Sequence, residues 1–369
     1  MTQLPLIFVW DNIGPMHADR IEAVAQKLNA HNICYAIEEA PTSNEYDWVG
    51  ETRSSFKKIS LTTERNLSSV RLFLKLLKLS IRFGRAHWFL CNYERPHIIM
   101  FSIWLAITAQ RPVTMGCSKF DDTHRSASKE FIKRLLLMPY RGAIGSGTRS
   151  RAYFRFLGIK NVVGVYNTLS VDRIRNSSGI DNEASRTAYE VRHFTIVARL
   201  VPKKNLLMAL DAYASYFQSV EHPRPLHICG NGPLSSALQK KTRELGISKM
   251  VVFHGFLQTH DVAALLSESV ALILPSTEEQ FGNVVIEAQA AGLPVLLSEA
   301  CGAKDHLIRN WHNGFVFEPD NPYGLSQFMK LVSNDKSLWE DLSAAATRSA
   351  IKGDVSEFSN AVESLTNTR

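Results

Sequence analysis

Two carboxylates in the C-terminal half of the chain, Glu279 and Glu287, are separated by seven residues that include a Gly-Asn turn. The apolar run 270–276 predicts a buried parallel strand and residues 284–291 are good helix formers, so the segment is interpreted as strand, loop and helix. The amino end of such a helix attracts phosphates. Glu287, one turn beyond Asn283, is placed to accept hydrogen bonds from ribose hydroxyls. Glu279 taken alone is typical of a solvated loop.

The stretch 279–295 resembles the sugar-nucleotide signature of glycosyltransferase family 4, E-x-F-G-x-x-x-x-E-A-x-A-x-G-x-P-V. Every fixed position is present: Glu279, Phe281, Gly282, Glu287, Ala288, Ala290, Gly292, Pro294 and Val295. The resemblance covers nearly the whole of residues 192–335. It implies that Glu279 orients the hydroxyls of a donor sugar. It also implies that the donor is bound by Phe281, Gly282, Asn283 and Glu287.

Two cations follow an upstream strand in the segment FTIVARLVPKKN, residues 194–205. Fixed Arg and Lys side chains can stabilise the negative charge that a departing nucleoside diphosphate gains, and they do so without a metal. The segment is similar to the family's G-R-L-x-x-x-K-(G/N) element, which implies that Arg199 and Lys204 contact the donor diphosphate. The alternative for either residue is an ordinary surface charge, and Lys203 is interpreted as a solvated neighbour.

A glycine turn lies between these two motifs. The segment LHICGNGPL, residues 226–234, predicts a short strand that ends in the turn. It resembles the family's G-x-G-P turn, in which glycines let the backbone approach the nucleotide closely. The resemblance therefore adds Gly230 and Gly232 to the expected donor site.

The N-terminal half starts with a predicted strand, 4–10, and a predicted helix, 18–29. The loop GPMHADRI between them resembles a bacterial subgroup of the same family involved in surface polysaccharides. That resemblance implies an acceptor or a pyrophosphate near Gly14 and His17, although His17 is also a candidate helix cap. Further along, Asp122 aligns by spacing with a subgroup residue and is interpreted as an acceptor-side or sugar contact, or as the N-cap of the next helix.

A cationic amphipathic helix is predicted over residues 70–85. Its basic residues lie three or four positions apart, and an apolar face lies opposite them; the two sets are Arg71, Lys75, Lys78 and Arg82, and Leu72, Phe73, Leu76, Leu77 and Ile81. Such a helix can lie on an anionic bilayer, where a polyprenyl-linked acceptor would be found. The alternative is an ordinary helix that packs its apolar side on a sheet. A second basic patch, 129–141, leaves the same two options.

Length and composition favour two globular domains. The chain has 369 residues, of which 45% are hydrophobic and 21% charged, which is enough to bury two cores. An 18-residue apolar span is lacking and the first apolar run is too short for a signal peptide, so a cytoplasmic protein is expected. Five cysteines without a C-x-x-C pair suit a reducing compartment and argue against structural zinc. No motif accompanies the basic residues that would indicate nucleic-acid binding.

Alternating strands and helices predict an α/β fold with two facing Rossmann-like domains, each with a parallel sheet, which is the GT-B architecture that the resemblance implies. The expected boundaries are an acceptor domain at 1–172, a polar linker at 173–190, a nucleotide-sugar domain at 191–350 and a C-terminal helix at 351–369 that packs back on the first domain.

The resemblance implies a retaining glycosyltransferase of polysaccharide biosynthesis. It would move a hexosyl unit from a nucleoside diphosphate sugar, with a UDP sugar favoured, to a glycan or polyprenyl-linked acceptor. Neither a cofactor nor a metal is expected, and peripheral contact with the cytoplasmic face of an anionic membrane is expected. Two alternatives stay open: a catalytically silent glycosyltransferase-like subunit, and a nucleotide-sugar epimerase, which has the same architecture but needs acid and base carboxylates around the sugar.

Overall fold

The structure is a computed structural model that describes residues 3–41, 53–63, 67–110, 112–122, 125–180 and 187–367. The chain divides into two compact units. Unit 1 contains Met1–Ser170 and Val355–Arg369, and unit 2 contains Val171–Asp354. Each unit is built on its own parallel sheet.

Unit 1 has a seven-stranded sheet in which all paired strands are parallel. The strands are β1 (Leu6–Trp10), β2 (Cys34–Glu38), β3 (Lys57–Ser60), β4 (His87–Leu90), β5 (Val113–Gly116), β6 (Gly142–Gly145) and β7 (Asn161–Val163). Their spatial order is β3-β2-β1-β4-β5-β6-β7. Every residue of β1 is buried, as expected for a strand of a parallel sheet that helices cover on both faces.

In the described part of unit 1, five helices lie between these strands. They are α1 (Pro15–Lys27), α2 (Ser69–Phe83), α3 (Pro96–Ile107), α4 (Ala127–Leu137) and α5 (Gly147–Phe156). Buried residues of α1 share one apolar cluster with β1, while buried residues of α2, α3 and α5 share a second cluster with the alternate residues of the same strand. Because successive side chains of β1 point to opposite faces of the sheet, this one strand contributes to the apolar cluster on each face.

Unit 2 has a six-stranded parallel sheet in the order β10-β9-β8-β11-β12-β13. The strands are β8 (His193–Val197), β9 (Leu226–Cys229), β10 (Val251–Gly255), β11 (Ser269–Leu274), β12 (Val295–Ser298) and β13 (Gly314–Phe317). The helices are α6 (Val171–Ser178), α7 (Leu206–Ser219), α8 (Ser235–Glu244), α9 (Thr259–Ser267), α10 (Val284–Ala290), α11 (Lys304–Leu307), α12 (Pro322–Asn334) and α13 (Lys336–Ser349). The two sheets confirm the predicted fold class of Rossmann-like domains.

The chain returns to unit 1 at its end. The last helix, α14 (Val355–Asn367), packs against α1, and its Phe358, Val362 and Leu365 join the apolar cluster that α1 shares with β1. Unit 1 is therefore completed by both ends of the sequence.

The expected linker differs from the structure. Residues 173–190 were interpreted as an aperiodic polar connection, but α6 begins at Val171 and belongs to unit 2. Its buried residues Val171, Ile174 and Ser178 follow a helical spacing of three and four that the polar residues between them obscure. Residues 181–186 of the expected linker lie outside the described part of the chain.

Helix α2 is the amphipathic helix predicted over residues 70–85, and its apolar side packs inside unit 1. Leu72 and Leu76 are buried, so the structure shows the ordinary domain helix of the two interpretations. Ile81 had been placed on the same face but is 68% exposed. The buried line runs through Leu72, Leu76 and Ser80 in steps of four, and Ile81, about 100° further round, points away from it.

Within the described part of the chain, every helix is too short or too polar to cross a bilayer.

Candidate functional site

The strand order of unit 2 creates a crevice at the carboxyl ends of β8 and β11. From β8 the chain winds outward through β9 to β10, then returns to β11 and winds the other way to β13. The connections after the neighbouring strands β8 and β11 therefore diverge, and open α/β sheets bind ligands at such a reversal. Arg199 and Lys204 lie on the first connection and Glu279 lies on the second.

Hydrogen bonds fix these two connections against each other. The backbone N–H of Thr277 donates to the Lys203 carbonyl over 2.9 Å. Asn205, at a left-handed φ of 55°, donates through Nδ2 to the carbonyls of Pro275 and Pro319 at 3.2 and 2.7 Å. Asparagine suits this position because it tolerates the left-handed conformation and has two amide donors. The residue after Lys204 therefore holds the first connection beside the second.

The structure brings Lys204 and Glu279 together. Lys204 Nζ donates to Glu279 Oε2, and the two side chains are only 13% and 18% exposed. Each charge offsets the desolvation that the other would suffer alone, which for an isolated buried ion is several kcal/mol. Two residues that the sequence assigned to separate parts of a donor thus form one ion pair, and an anion that binds the ammonium must share it with Glu279.

Arg199 lies on a backbone that is held on both sides. The N–H of Ala198 donates to the Cys229 carbonyl at 3.0 Å, and the N–H of Leu200 donates to the Asn231 carbonyl at 2.8 Å. The connection after β8 thus extends its pairing with the connection after β9, and Arg199 lies between the two paired positions. A guanidinium on a fixed backbone loses less conformational freedom when it binds an anion.

Gly230 and Gly232 make this loop pairing sterically possible. A Cβ at Gly230 would lie 1.9 Å from the Ala198 carbonyl oxygen, and one at Gly232 would lie 2.5 Å from the Leu200 carbonyl oxygen. Real Cβ atoms do not approach oxygen so closely, so only glycine fits at either position. Contact between two loops of the chain is sufficient to explain both glycines, and the expected approach of a nucleotide stays a prediction.

The loop that carries Glu279 is also held from its other side. The N–H of Gly302 donates to the Glu279 carbonyl at 3.1 Å, and the N–H of Ala303 donates to the Phe281 carbonyl at 2.9 Å. A Cβ at Gly302 would lie 1.9 Å from the Gln280 carbonyl oxygen. The turn after β12 therefore positions the Glu279 loop through its backbone, and a glycine in that turn is required for the contact.

The start of α10 is the helix end that was expected to attract a phosphate. Gly282 has a φ of 100°, a conformation that favours glycine. The N–H groups of Val285 and Ile286 donate to the carbonyls of Gly282 and Asn283 at 3.0 and 2.9 Å, in a tight first turn. Two N–H groups at this helix end are therefore already paired within the turn, and phosphate binding there stays a prediction.

Glu287 faces a small crevice formed by α6, α9 and α10, which it lines together with Arg173, Ser177 and Thr259. Burial raises the pKa of Glu287, and the positive charge of Arg173 partly offsets that rise. Burial also raises the pKa of the Cys229 thiol to about 11, and the negative charge of Glu287 adds to this effect.

Arg173 is the site residue that the sequence analysis missed. It lies in α6, which was interpreted as part of the linker, and it lines the same crevice as Glu287. Its positive charge favours the ionised form of that carboxyl group, which is the form that accepts hydrogen bonds from hydroxyls. The helical spacing of the buried residues of α6 was the signal in the sequence that could have indicated this helix.

In unit 1, Gly14 and His17 form a helix cap. Gly14 is the N-cap of α1, and its N–H donates to His17 Nδ1 at 3.1 Å. Burial, with a contribution from the positive charge of Arg20, lowers the pKa of His17 well below its usual value. A neutral imidazole is the acceptor that this bond needs, so the structure shows the capping role of His17. Contact of Gly14 and His17 with an acceptor or a pyrophosphate stays a prediction.

Asp122 does not cap α4, so that interpretation was wrong. The cap is Ser126, whose Oγ accepts from the Lys129 N–H at 3.4 Å. Asp122 Oδ2 instead accepts from the backbone N–H of Lys119 at 2.7 Å, three residues upstream. The carboxylate therefore stabilises its own turn, and its role as an acceptor-side or sugar contact stays a prediction.

Comparison with known families identifies the second unit. Residues 181–349 match the model of glycosyl transferases group 1. Unit 2 is a glycosyl transferases group 1 domain. The match contains Arg199, Lys204, Glu279 and Glu287, so the crevice at the strand reversal belongs to the glycosyltransferase domain.

Several curated relatives align with part of the chain. An uncharacterized glycosyltransferase of Methanocaldococcus jannaschii is 30% identical over 139 residues, which are 38% of this chain and 35% of the relative. The Vi polysaccharide biosynthesis protein VipC/TviE of Salmonella typhi is 32% identical over 144 residues, 39% and 24% of the two chains. An Escherichia coli UDP-Gal:alpha-D-GlcNAc-diphosphoundecaprenol alpha-1,3-galactosyltransferase is 29% identical over 147 residues, 39% and 37%. The alignments thus span less than two fifths of these relatives.

Solved structures resemble both units. Anabaena HepE in complex with UDP has a TM-score of 0.75 at 16% identity, over 99% of this chain and 100% of that chain. WaaG, a glycosyltransferase involved in lipopolysaccharide biosynthesis, has a TM-score of 0.69 at 15% identity, again over 99% and 100%. At these identities the likeness shows the fold alone, and it confirms the predicted GT-B class.

Proposed function

We propose that the chain is a retaining glycosyltransferase that moves a hexosyl unit from a nucleoside diphosphate sugar to a glycan or lipid-linked acceptor in polysaccharide biosynthesis. The observation that carries this proposal is the position of Arg199, Lys204 and Glu279 on two connected loops at the strand reversal of a glycosyl transferases group 1 domain. Cations and a carboxylate at that point suit a ligand with both phosphates and hydroxyls.

In this mechanism Arg199 and Lys204 stabilise the leaving diphosphate. Negative charge grows on its oxygens as the glycosidic bond breaks, and cations that are already in place need no reorganisation. Loss of one such group typically costs about 10²–10³-fold in kcat. The acceptor hydroxyl attacks the face that the diphosphate leaves, and a phosphate oxygen takes the hydroxyl proton. The two cations supply the positive charge, so the reaction needs no divalent metal.

The two glutamates bind the rest of the donor. Glu279 accepts hydrogen bonds from the sugar hydroxyls and, through its ion pair, holds the Lys204 ammonium in place. Glu287, whose ionised form the charge of Arg173 favours, accepts hydrogen bonds from the ribose hydroxyls. Both residues orient the donor and neither acts as a nucleophile.

The relatives favour UDP sugars as donors and a lipid-linked diphosphate as acceptor. Anabaena HepE was solved with UDP, with UDP and glucose, and with UDP-glucose. The E. coli relative is named for UDP-galactose as donor and for a sugar-diphosphoundecaprenol as acceptor. We therefore propose UDP-hexoses as the first donors to test.

We further propose a cytoplasmic protein that contacts an anionic membrane through unit 1. The packed apolar side of α2 is not available for that contact, but the second basic patch exposes four large apolar side chains, Phe131, Ile132 and Leu135 on α4 and Met138 directly after it. Lys129, Lys133 and Arg134 lie on the same helix. Apolar side chains with neighbouring cations match the interface of an anionic bilayer.

A paired set of lysine variants tests the proposed donor site. The assay is release of UDP from a panel of UDP-hexoses, with a lipid-diphosphate sugar as acceptor. Lys204→Ala and Arg199→Ala are each expected to lower kcat about 10²–10³-fold. Lys203→Ala is the matched control, because Lys203 forms an exposed pair with Glu278 on the same two loops, at 3.4 Å. It should retain nearly full activity.

Two further results would contradict the proposal. Activity that disappears in EDTA and returns with Mn²⁺ would show that a metal supplies the charge. Binding of UDP sugars by the wild type without turnover on any acceptor would favour the catalytically silent subunit, whereas interconversion of two UDP sugars without transfer would favour the epimerase.

A further inference from the structure

Unit 1 contains a cavity of about 170 Å³ at the carboxyl edge of its sheet. Its lining combines three charged residues, a hydroxyl and two leucines: Asp11, Glu39, Arg95, Thr62, Leu67 and Leu72. This volume is more than ten times what a single water molecule needs. The cavity involves neither the helix cap at Gly14 and His17 nor the turn around Asp122.

The cavity lies where the strand order of unit 1 reverses. Starting from β1 the chain winds through β2 to β3, returns to β4 and then winds the other way to β7. Asp11 follows β1, Glu39 follows β2, Thr62 lies two residues beyond β3, and Arg95 is on the connection after β4. The same rule that locates the crevice of unit 2 therefore locates this cavity as a ligand site.

Arg95 is held between the two carboxylates. Its Nη1 donates to Glu39 Oε2 at 2.8 Å, and its Nη2 lies 3.4 Å from Asp11 Oδ2. The other Glu39 oxygen is 2.8 Å from Nε2 of His97, a nearly buried side chain. These contacts fix the direction of the Glu39 carboxylate, while each carboxylate retains lone pairs for further donors. Asp11 and Arg95 are 46% and 39% exposed, so a ligand can reach them.

We propose that this cavity binds one neutral sugar ring, the acceptor sugar of the proposed transfer. The inference rests on the proposed function and adds the site at which the acceptor is recognised. Carboxylates accept from sugar hydroxyls and the guanidinium donates to hydroxyl or ring oxygens, while Leu67 and Leu72 contact the apolar C–H face of the ring.

The charges argue against the other ligand classes. A phosphate at this cavity would meet the carboxylates of Asp11 and Glu39, and an ammonium group would meet the Arg95 guanidinium. A neutral polyhydroxyl ligand bonds to both kinds of group without adding a charge of its own. The volume suits a single ring because pockets for drug-sized ligands are typically about 300–1,000 Å³.

Saturation-transfer NMR on the full-length protein tests the site without an assay of activity. The probes are the methyl glycosides of glucose, galactose, mannose and N-acetylglucosamine, and UDP binding is measured in parallel by calorimetry. At least one glycoside is expected to bind the wild type. Asp11→Asn and Glu39→Gln should each weaken that binding about tenfold or more, because a charge-assisted hydrogen bond is lost, and both should leave UDP affinity unchanged.

Glu94→Gln is the matched control, since Glu94 is an exposed acid beside Arg95 that does not line the cavity. It should retain full glycoside binding. Circular dichroism melts show whether each variant folds. If Glu39→Gln does not fold, Asp11→Asn still tests the site, because it leaves the contacts of Glu39 in place. Wild-type protein that binds UDP but no glycoside, or binding that the cavity variants leave unchanged, would overturn this inference alone. A wild type that binds neither UDP nor UDP sugars would instead overturn the proposed function.

Discussion

The carboxyl edges of the two sheets have the same topology and different construction. At the reversal of unit 2, Lys204 and Glu279 form a pair whose side chains are at most 18% exposed, on loops that backbone hydrogen bonds tie to each other. At the reversal of unit 1, Arg95 lies between Asp11 and Glu39 on connections from three strands, with side chains up to 46% exposed. Equivalent topology thus supports a rigid, enclosed site in one unit and an open one in the other.

This difference suits the two ligands that we propose. A nucleoside diphosphate has a fixed geometry, so a pre-organised pocket reduces the entropy lost on binding. A sugar ring is read by the directions of its hydroxyls, which a few exposed side chains can match. The loops at the donor site of unit 2 are held in place by contacts that require Gly302 and Asn205. Replacing these two residues therefore tests whether the site of unit 2 is more rigid than that of unit 1.

The largest effect is expected for Gly302→Ala. The new Cβ would lie 1.9 Å from the Gln280 carbonyl oxygen, so the Glu279 loop must move. We expect unit 2 to lose about 1–3 kcal/mol of stability and UDP affinity to fall at least tenfold. Differential scanning calorimetry and UDP titration measure the two effects. Gly116→Ala in unit 1 is the control, because its Cβ would make an ordinary contact, 3.4 Å from Phe154.

A comparable loss of stability is expected when Asn205 is replaced. Asn205→Gly keeps the left-handed conformation and removes only the two bonds to Pro275 and Pro319, so it should cost about 1–3 kcal/mol. Asn205→Ala loses the same bonds and adds backbone strain, and it should cost more. Urea unfolding compares the two variants. If both leave UDP affinity unchanged, the bonds between the two loops are not what positions Lys204.

The sequence predicted much of unit 2 because its signals are contiguous. The run 284–291 corresponds to α10 at Val284–Ala290, and the run 270–276 corresponds to β11 at Ser269–Leu274. Long apolar runs and periodic helices can be recognised from residues that are adjacent in the sequence. Arg199, Lys204, Glu279 and Glu287 lie within two compact motifs, so their types and spacing were visible before the fold was known.

The remaining features depend on neighbours that are distant in sequence. Asp11, Glu39 and Arg95 come from three different connections, and only the pairing of β1 with both β2 and β4 brings them together. The contact that requires Gly302 is likewise with Gln280, in another loop. The pairing of the Val285 and Ile286 N–H groups at the start of α10 was unpredictable for the opposite reason, since a tight first turn is a local detail that residue types do not specify.

The two units also differ in how their surfaces suit a membrane. In unit 1, Phe131 on α4 and Met138 directly after this helix are 62% and 74% exposed beside several cations. Replacing both with Ser should weaken binding to phosphatidylglycerol vesicles about tenfold, because apolar area is lost from the interface. Vesicle sedimentation measures the change. Tyr323→Ser, at a residue of unit 2 that is 68% exposed, is the control. If Tyr323→Ser weakened vesicle binding as much as the double replacement in unit 1 does, the two units would not differ in membrane contact.

The smallest effect, and the one with a diagnostic pH dependence, is expected for Glu287→Gln. Burial raises the pKa of Glu287 in the folded protein. Its contribution to stability is therefore fully present below the unfolded pKa of about 4.3 and is lost as the pH rises through the folded value. At pH 7 the wild type thus carries the cost of a buried carboxylate, and the variant does not. We expect Glu287→Gln to melt at a higher temperature than the wild type at pH 7, with the difference closing as the pH falls toward 4.

The same substitution should weaken UDP binding about tenfold at pH 7, because an amide accepts hydrogen bonds from hydroxyls less strongly than a carboxylate. A variant that is more stable yet binds less well would mark Glu287 as a residue held ionised for binding at a cost in stability. Glu278→Gln, at an exposed acid on the neighbouring loop, should change neither quantity. If Glu287→Gln is instead less stable at every pH and binds UDP normally, the carboxylate serves only as a structural partner for Arg173. Glu287 would then not belong to the donor site of unit 2.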